Sequence, residues 1–224
     1  MYAIQEVVRR AAARWTDYYT AQQNSTLKTV VLKQLTAGVA TLRTSVAHGF
    51  TAGQTIGVRL SPADAVFDTA EAKLTNVTVT DLLFAKVSPD VPAIVSGGNI
   101  WQSYIGERVF AEGNDILSRE DVGQFPCLVY SMQDDSFDSC GRDSAVIRLD
   151  VTIRNFDKAL MGKILRGMQS AVTPRLMLVE QLAAGLKTRI AMFRKTSEAD
   201  DIFDDKTNTY RLRSVWSAKY VEEP

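Results

Sequence analysis

Histidine and cysteine are scarce in this chain: His48 is its one imidazole, and Cys127 and Cys140 are its two thiols. One His and two separated Cys make no ligand pair at a zinc-binding spacing, so a bound metal would have to rely on carboxylates. A Ser-His-Asp triad would have to be built on His48, yet that residue stands in the turn-like Ala47-His48-Gly49 and no nucleophile-elbow sequence occurs. His48 is therefore read as a turn residue. Long apolar runs are missing too, since the richest stretch, Leu176 to Leu186, is broken by Glu180 and Gln181, short of the roughly 18 residues a membrane span requires. The opening MYAIQEVVRRAAARW puts Glu6, Arg9, Arg10 and Arg14 where a signal peptide needs apolar residues. A soluble protein with no export signal and no membrane partner is expected, with both cysteines reduced and the sequons at Asn24 and Asn76 without meaning. Net charge is also missing: 26 Lys+Arg balance 26 Asp+Glu. That excludes a generic polyanion binder driven by overall positive charge, but not a local basic surface.

What is present is a globular composition, 46% hydrophobic and 23% charged over 224 residues, which fits one or two domains. Ile4, Val7, Val8, Ala11 and Trp15 recur at spacings of three and four, predicting an opening helix with an apolar face and an arginine-bearing polar side. From Gln22 the pattern changes to short alternating runs, Ile56/Val58/Leu60 and Val77/Val79, separated by turn clusters such as Ser61-Pro62-Ala63-Asp64. A β-rich unit of that size buries a modest share of its surface, so support from the rest of the protein is expected.

Beyond Ser96-Gly97-Gly98, the segment Phe125 to Tyr130 reads as a strand entered through Pro126. A polar loop is expected from Gln133 to Asp143, followed by a strand from Val146 to Ile153 in which apolar and mostly polar positions alternate. These two strands are expected to pair antiparallel. Asn155 or Asp157 can cap a helix carrying Leu160, Ile164, Leu165, Met168 and Val172, interrupted at Thr173-Pro174. A short helix from Arg175 to Ala184 with Gly185 as its stop is predicted next, then strands Thr188 to Phe193 and Thr209 to Val221 around a turn-rich Glu198 to Asn208. The sum is an α+β fold: a mostly antiparallel sheet packed against helices, residues 1–22 and 100–224, with an inserted small all-β domain over 23–99.

Other chemistries fail on spacing. The acidic run Glu198, Asp200, Asp201, Asp204 and Asp205 lacks the alternation and internal glycine of an EF-hand loop and is read as a solvated connection. Gly185-Leu186-Lys187-Thr188 looks like the end of a phosphate loop, but the motif's earlier glycine falls on Glu180, whose charge repels phosphate. No GxGxxG turn joins a strand to a helix. No catalytic residue, cofactor or metal is assigned, and an enzyme is not expected.

Charge, although balanced, is segregated. Residues 107–143 contain nine acidic and three basic residues, whereas 157–196 contain eight basic and two acidic. Solvated faces would account for this. So would head-to-tail association, in which the negative flank of one subunit meets the positive flank of the next and closes a ring.

Residues 1–20 with roughly 106–221 resemble the tail terminator proteins of long-tailed bacteriophages. The likeness is carried by the amphipathic opening helix, Arg108-Val109-Phe110, the Phe125-Pro126-Cys127-Leu128-Val129-Tyr130 strand and Arg148-Leu149-Asp150-Val151 before a helix. It continues in Ile202-Phe203-Asp204-Asp205-Lys206-Thr207-Asn208-Thr209-Tyr210-Arg211 and the aromatic Val215-Trp216-Ser217-Ala218-Lys219-Tyr220. Residues 37–88 resemble a small β module of phage tail and virion proteins, through Gly38 to Thr44, His48-Gly49-Phe50 to Ile56, and Val77 to Phe84. Terminators as a rule run from the first helix to the sheet without so large an insertion.

The resemblance implies a structural virion protein of the tail or neck, assembled in the host cytoplasm. It would form a hexameric ring that caps the tail tube, stops polymerisation of the tube protein and docks to the head-tail connector or stopper. Phage DNA would pass through the lumen without sequence-specific binding. Asp134, Asp135, Asp138, Arg142, Arg148 and Arg154 become candidates for subunit or lumen contacts, and the β insert is expected to project outward. A neck or tail-completion protein of the head-tail interface is the nearest alternative. A host-surface or carbohydrate-binding module is the alternative from another class, motivated by the β unit and by Trp15, Trp101 and Trp216, of which Trp101 is the candidate sugar platform.

Overall fold

The computed structural model describes residues 2–106, 108–111, 126–137, 144–155, 157–171, 185, 188–198, 202–204 and 209–222. The fold is α+β, with a six-stranded antiparallel barrel and two helices that pack together. The chain divides into two compact units, Thr20–Glu107 and Met1–Tyr19 with Arg108–Pro224.

The first unit is built from β1 (Lys28–Thr36), β2 (Val39–Thr44), β3 (Thr55–Ser61), β4 (Thr69–Val77), β5 (Asp81–Ala85), β6 (Val91–Val95) and β7 (Gly97–Gln102). Pairing runs β1-β2-β5-β4-β3-β7 and returns to β1, closing a six-stranded barrel, while β6 pairs with β1 outside that circuit. Closure removes the open edges that make small sheets aggregate. Alternation supplies the core: Ala40 and Leu42 on β2, Ile56, Val58 and Leu60 on β3, Leu82 and Phe84 on β5 are all buried, together with Val30, Leu35, Leu74 and Ile100. The Ile56/Val58/Leu60 run thus points inward as its spacing predicts. The Val77/Val79 run does not: β4 ends at Val77, and Val79 is 71% exposed in the following bend. There the Val79 carbonyl accepts the His48 N–H, so backbone bonding of the turn overrides the apparent alternation.

One strand serves two neighbours along one side. Lys28 and Thr29 of β1 face Ile100 and Asn99 of β7, whereas Leu32 to Leu35 face β6. The register against β2 shifts between Val30 and Leu32, so Val31 is the extra residue of a bulge where that change occurs. Two glycines let β7 come close. A Cβ at Gly57 would lie 2.3 Å from the Trp101 ring, its cross-strand neighbour, and one at Gly98 would lie 2.3 Å from the Arg59 carbonyl oxygen at a φ of +122°.

The β3–β4 connection, entered through a cis Ser61-Pro62 bond, carries Phe67 into the core with no exposed surface. Asp64 Oδ1 accepts the Val66 N–H at 2.9 Å, and Asp68 Oδ1 accepts the Leu60 N–H at 2.7 Å. Lys33 forms an ion pair with Asp64 while its ammonium sits 5.5 Å from the Phe67 ring centroid. The Lys33 hydrogen bond is the largest influence holding the Asp64 carboxyl below its ordinary range, against the burial that raises it.

The second unit begins with α1 (Tyr2–Gln23), whose last turn crosses the division between units. Val7, Val8, Ala11 and Trp15 are buried as their spacing predicts, and so are Ala12, Ala13, Thr16 and Asp17, so burial extends beyond a single stripe. Glu6 accepts hydrogen bonds from Arg9 and Arg10, one turn on, at 2.9 and 2.8 Å. Chiefly through Arg9, they hold its carboxyl down to about 2. Trp15, Tyr18 and Tyr19 cluster with ring centroids 5.2 to 6.3 Å apart.

The remaining elements are β8 (Val109–Ala111), β9 (Cys127–Phe137), β10 (Ser144–Asn155), α2 (Lys158–Ala171), β11 (Thr188–Glu198), β12 (Ile202–Asp204) and β13 (Thr209–Glu222). The sheet order is β11-β13-β10-β9-β8, with β12 also on β13. The β8–β9 pair is parallel and every other pair antiparallel. Gln133 to Phe137, expected as loop, continues β9, because pairing with β10 extends to Ala145↔Phe137. Likewise the expected turn from Glu198 to Asn208 contains β12 and the end of β11. Asp157 caps α2, its Oδ1 accepting the Ala159 and Leu160 N–H groups at 2.8 and 3.2 Å. Asn155 instead closes β10 opposite Tyr210. Met161, Ile164, Leu165, Met168 and Ala171 form the buried side of α2, which lies against β10. Val172 and the expected helix from Arg175 to Ala184 lie outside the described residues, and Gly185 has a φ of +64°.

Two outcomes follow for stability. Gly98→Ala meets the β3 backbone at a φ that disfavours any side chain, and is expected to lower stability by about 2–4 kcal/mol in chemical denaturation. Asp64, with its folded pKa depressed, contributes stability that is present above the unfolded carboxyl value of about 3.9 and is lost as pH falls through the lower folded value. Asp64→Asn is therefore expected to cost about 1 kcal/mol at pH 7 and much less at pH 2, read from denaturation midpoints at both pH values.

Candidate functional site: a sheet with two unlike faces

β10 and β13 pair without interruption from Ser144↔Val221 to Asn155↔Tyr210. Because strand residues alternate between faces and cross-strand partners share one, this register assigns every position. On one face fall Ile147, Leu149, Val151 and Ile153 of β10 with Leu212, Trp216 and Tyr220 of β13. Leu128, Tyr130 and Met132 of β9 and Ile190 and Phe193 of β11 join them. Asp134 of β9 and Lys195 and Glu198 of β11 fall on it as well, through their partners Ile147, Trp216 and Ser214, so this face is mainly rather than wholly apolar.

The opposite face carries Arg148 and Arg154 of β10 with Arg211, Arg213 and Lys219 of β13. Arg189 and Arg194 of β11 fall on it through their partners Val221 and Ser217. Its acidic residues are Asp150 on β10 and Asp204 on β12, giving seven basic against two acidic positions in the described strands. Arg154 stands directly opposite Arg211, a like-charge pair that a sheet built for stability alone would avoid. From Arg148 to Arg154 the face extends about 20 Å along β10, and Arg194 and Arg148, two strands apart, are separated by about 10 Å.

The candidate residues are thus sorted by the register. Arg148 and Arg154 share the basic face. Asp134, partner of Ile147, falls on the apolar face, and Asp135 is the extra residue of a bulge between the Val146 and Ile147 pairs. Asp138 and Arg142 lie outside the described residues. Five further basic positions, on β11 and β13, were not singled out by sequence. Their signal is the Arg211-Leu212-Arg213 and Arg189-Ile190 alternation, which gains meaning once the partner strands are known.

Elsewhere, His48 is buried in the β2–β3 connection, its Nδ1 accepting the Phe50 N–H at 2.9 Å while the two rings stack with centroids 5.6 Å apart. The nitrogen that a triad carboxylate would engage is therefore occupied by backbone. Close by, Arg43 binds Asp81 across β2 and β5 through two hydrogen bonds of 2.7 and 3.2 Å, and these chiefly lower the Asp81 pKa. Trp101 is 3% exposed over Gly57, so its indole face is not offered to a sugar. Cys127 is buried. Among the described residues no cluster of His, Cys, Asp and Glu is arranged to hold a metal, and no helix is long and apolar enough to cross a membrane.

The face assignment has a direct test. Leu149→Asp is expected to cost about 3 kcal/mol or more by placing a charge on the apolar face, and the adjacent Arg148→Asp less than about 1 kcal/mol; equal losses on thermal denaturation would contradict the register. No protein-family model and no curated protein matches this sequence.

Proposed function

We propose that the protein is a structural component of a bacteriophage tail or neck, a tail terminator that assembles into a hexameric ring. On this reading the ring caps the finished tail tube, halts addition of tube protein and presents the surface on which the head-tail connector docks, with DNA passing through the centre. No bond is made or broken; complementary surfaces do the work.

The observation that carries the reading is the concentration of basic residues on one face of the β11-β13-β10 sheet, in a chain whose residues 107–143 are strongly acidic. Opposite charge segregated along one chain supports association between copies, and can steer them in a fixed orientation. The family-like sequence of the closing strands, Tyr210-Arg211 and Val215 to Tyr220, adds to it. The barrel would then be an appendage of the ring, and the described helices and long strands its body.

The expected outcome is a ring visible by electron microscopy of purified protein, and tails of irregular, extended length in phage made without it. Tails of normal length in its absence would overturn the proposal. Ring formation is also expected to weaken as salt rises from 50 to 500 mM, since the Debye length shrinks severalfold over that range.

A further inference from the structure

We infer that β6 is a self-pairing edge strand: it takes the β6 strand of a second copy of the chain, antiparallel about a two-fold axis at Ala93, and so joins two barrels through one continuous sheet. This contact is separate from the ring contact above and does not rest on it.

The first observation is an open edge. Six strands close the barrel, and β6 is left with β1 as its one partner among the described strands. Along that pairing the Ser96 N–H donates to the Val31 carbonyl at 3.1 Å, and Ile94 is paired with Lys33. Alternation therefore directs the main-chain groups of Ile94 toward β1 and those of Ala93 and Val95 toward the free side. The register against β1 shifts between Ile94 and Val91, so Pro92, which has no N–H to give, stands where that ladder is already interrupted and takes no donor from Ala93 or Val95.

The second observation is what the edge lacks. Exposed edge strands are as a rule guarded by charge, lysine above all, yet no charged residue occurs from Val91 to Gly106. Val95 is 85% and Ile94 44% exposed, and Val31 beside them is exposed too. The charges that border the strand are held locally, Lys33 by Asp64 and the Asp90 carboxylate by the Ala37 N–H at 2.9 Å. A second copy thus meets backbone donors and acceptors and apolar side chains, with no unpaired like charge. Sequence symmetry selects this occupant. Val91-Pro92-Ala93-Ile94-Val95 is closely matched in size and polarity when read in reverse, so two-fold pairing sets Val91 against Val95, Pro92 against Ile94 and Ala93 against itself. Such self-complementarity is what an isologous contact demands. Five residues a side bury well under the roughly 1,000 Å² of a stable interface, so two copies pair weakly and reversibly, and more firmly where several pairs form together.

The experiment uses the full-length chain at 500 mM salt, where charge-driven association is screened. In a Cys140→Ser background, Ala93→Cys places a thiol on the two-fold axis, where directly opposed Cβ atoms about 4.5–5.5 Å apart come near disulfide spacing. Mild oxidation is expected to link Ala93→Cys into dimers at least about tenfold faster than Val79→Cys, an exposed position elsewhere on the barrel. Adding Ile94→Lys/Val95→Lys, which supplies the missing charge at exposed positions, is expected to bring the rate down to that of Val79→Cys. In sedimentation velocity the mean mass of the parent is expected to rise with concentration more than that of Ile94→Lys/Val95→Lys, and circular dichroism checks that each variant is folded. Equal cross-linking at positions 93 and 79 overturns the inference. So does cross-linking that ignores the two lysines, or identical sedimentation of parent and Ile94→Lys/Val95→Lys. The ring reading is decided by tail length and by assembly at low salt, so the two fail separately.

Discussion

The unbroken register of β10 against β13 is the constraint on which the candidate site depends. Twelve successive pairs leave no place for a slip, and in a strand a slip of one residue exchanges the faces completely. Shifted by one, Arg148 and Arg154 would join Leu212 and Trp216, and the face that suits the apolar side of α2 would carry guanidinium groups. Burying those without partners costs far more than any register could return. The irregularities are instead pushed outward, to the bulge at Asp135 on β9 and to the two shifts along β11. Central strands keep the period while flanking strands absorb the curvature. That is why seven basic positions gather on one face from β11 to β10, although charged residues such as Asp134 and Lys195 still fall on the other.

The barrel solves a different problem by a related device. A sheet of seven strands must either expose edges or close; here six close, and the seventh, β6, is admitted where one strand changes partners. β1 does so at Val31, where its neighbour on one side passes from β7 to β6. Close approach of β7 to β3 then leaves no room for a Cβ at Gly98, and the Trp101 ring needs the bare backbone of Gly57. The buried Phe67 and the Lys33–Asp64 pair are consequences of the same closure, since the interior has to be filled and its connection held. Local polarity thus follows from topology.

This difference explains what could be read from the chain and what could not. Periodicity exposed α1, α2, β3 and the alternation of β10, because each depends on neighbours within a few residues. Val77/Val79 misled because a bend whose backbone bonds go to the His48 turn imitates a strand over so short a run. Gln133 to Phe137 looked like loop because polar residues on a central pairing partner are indistinguishable, one strand at a time, from polar residues on a turn. The separation of Asp134 from Arg148 is a matter of register between strands, which no single strand encodes. The basic face was half visible: two arginines on β10 marked it, and the other five positions required the pairing of β11 and β13.

Zero net charge takes on a physical meaning here. Had the basic and acidic residues been interspersed, each would be neutralised by near neighbours and the surface would attract nothing strongly. Arg154 and Arg211 are instead directly opposed, and Arg213 follows on the same face. Such like-charge neighbours cost roughly 0.2–1 kcal/mol per pair, a small loss against the 5–15 kcal/mol of a typical native state, but one that favours any anion able to approach. Acidic residues are plentiful elsewhere in the chain, yet within the strands of this face only Asp150 and Asp204 stand near enough in register to compensate. The balance of 26 against 26 is therefore a sum over segregated positions, not a set of local pairs.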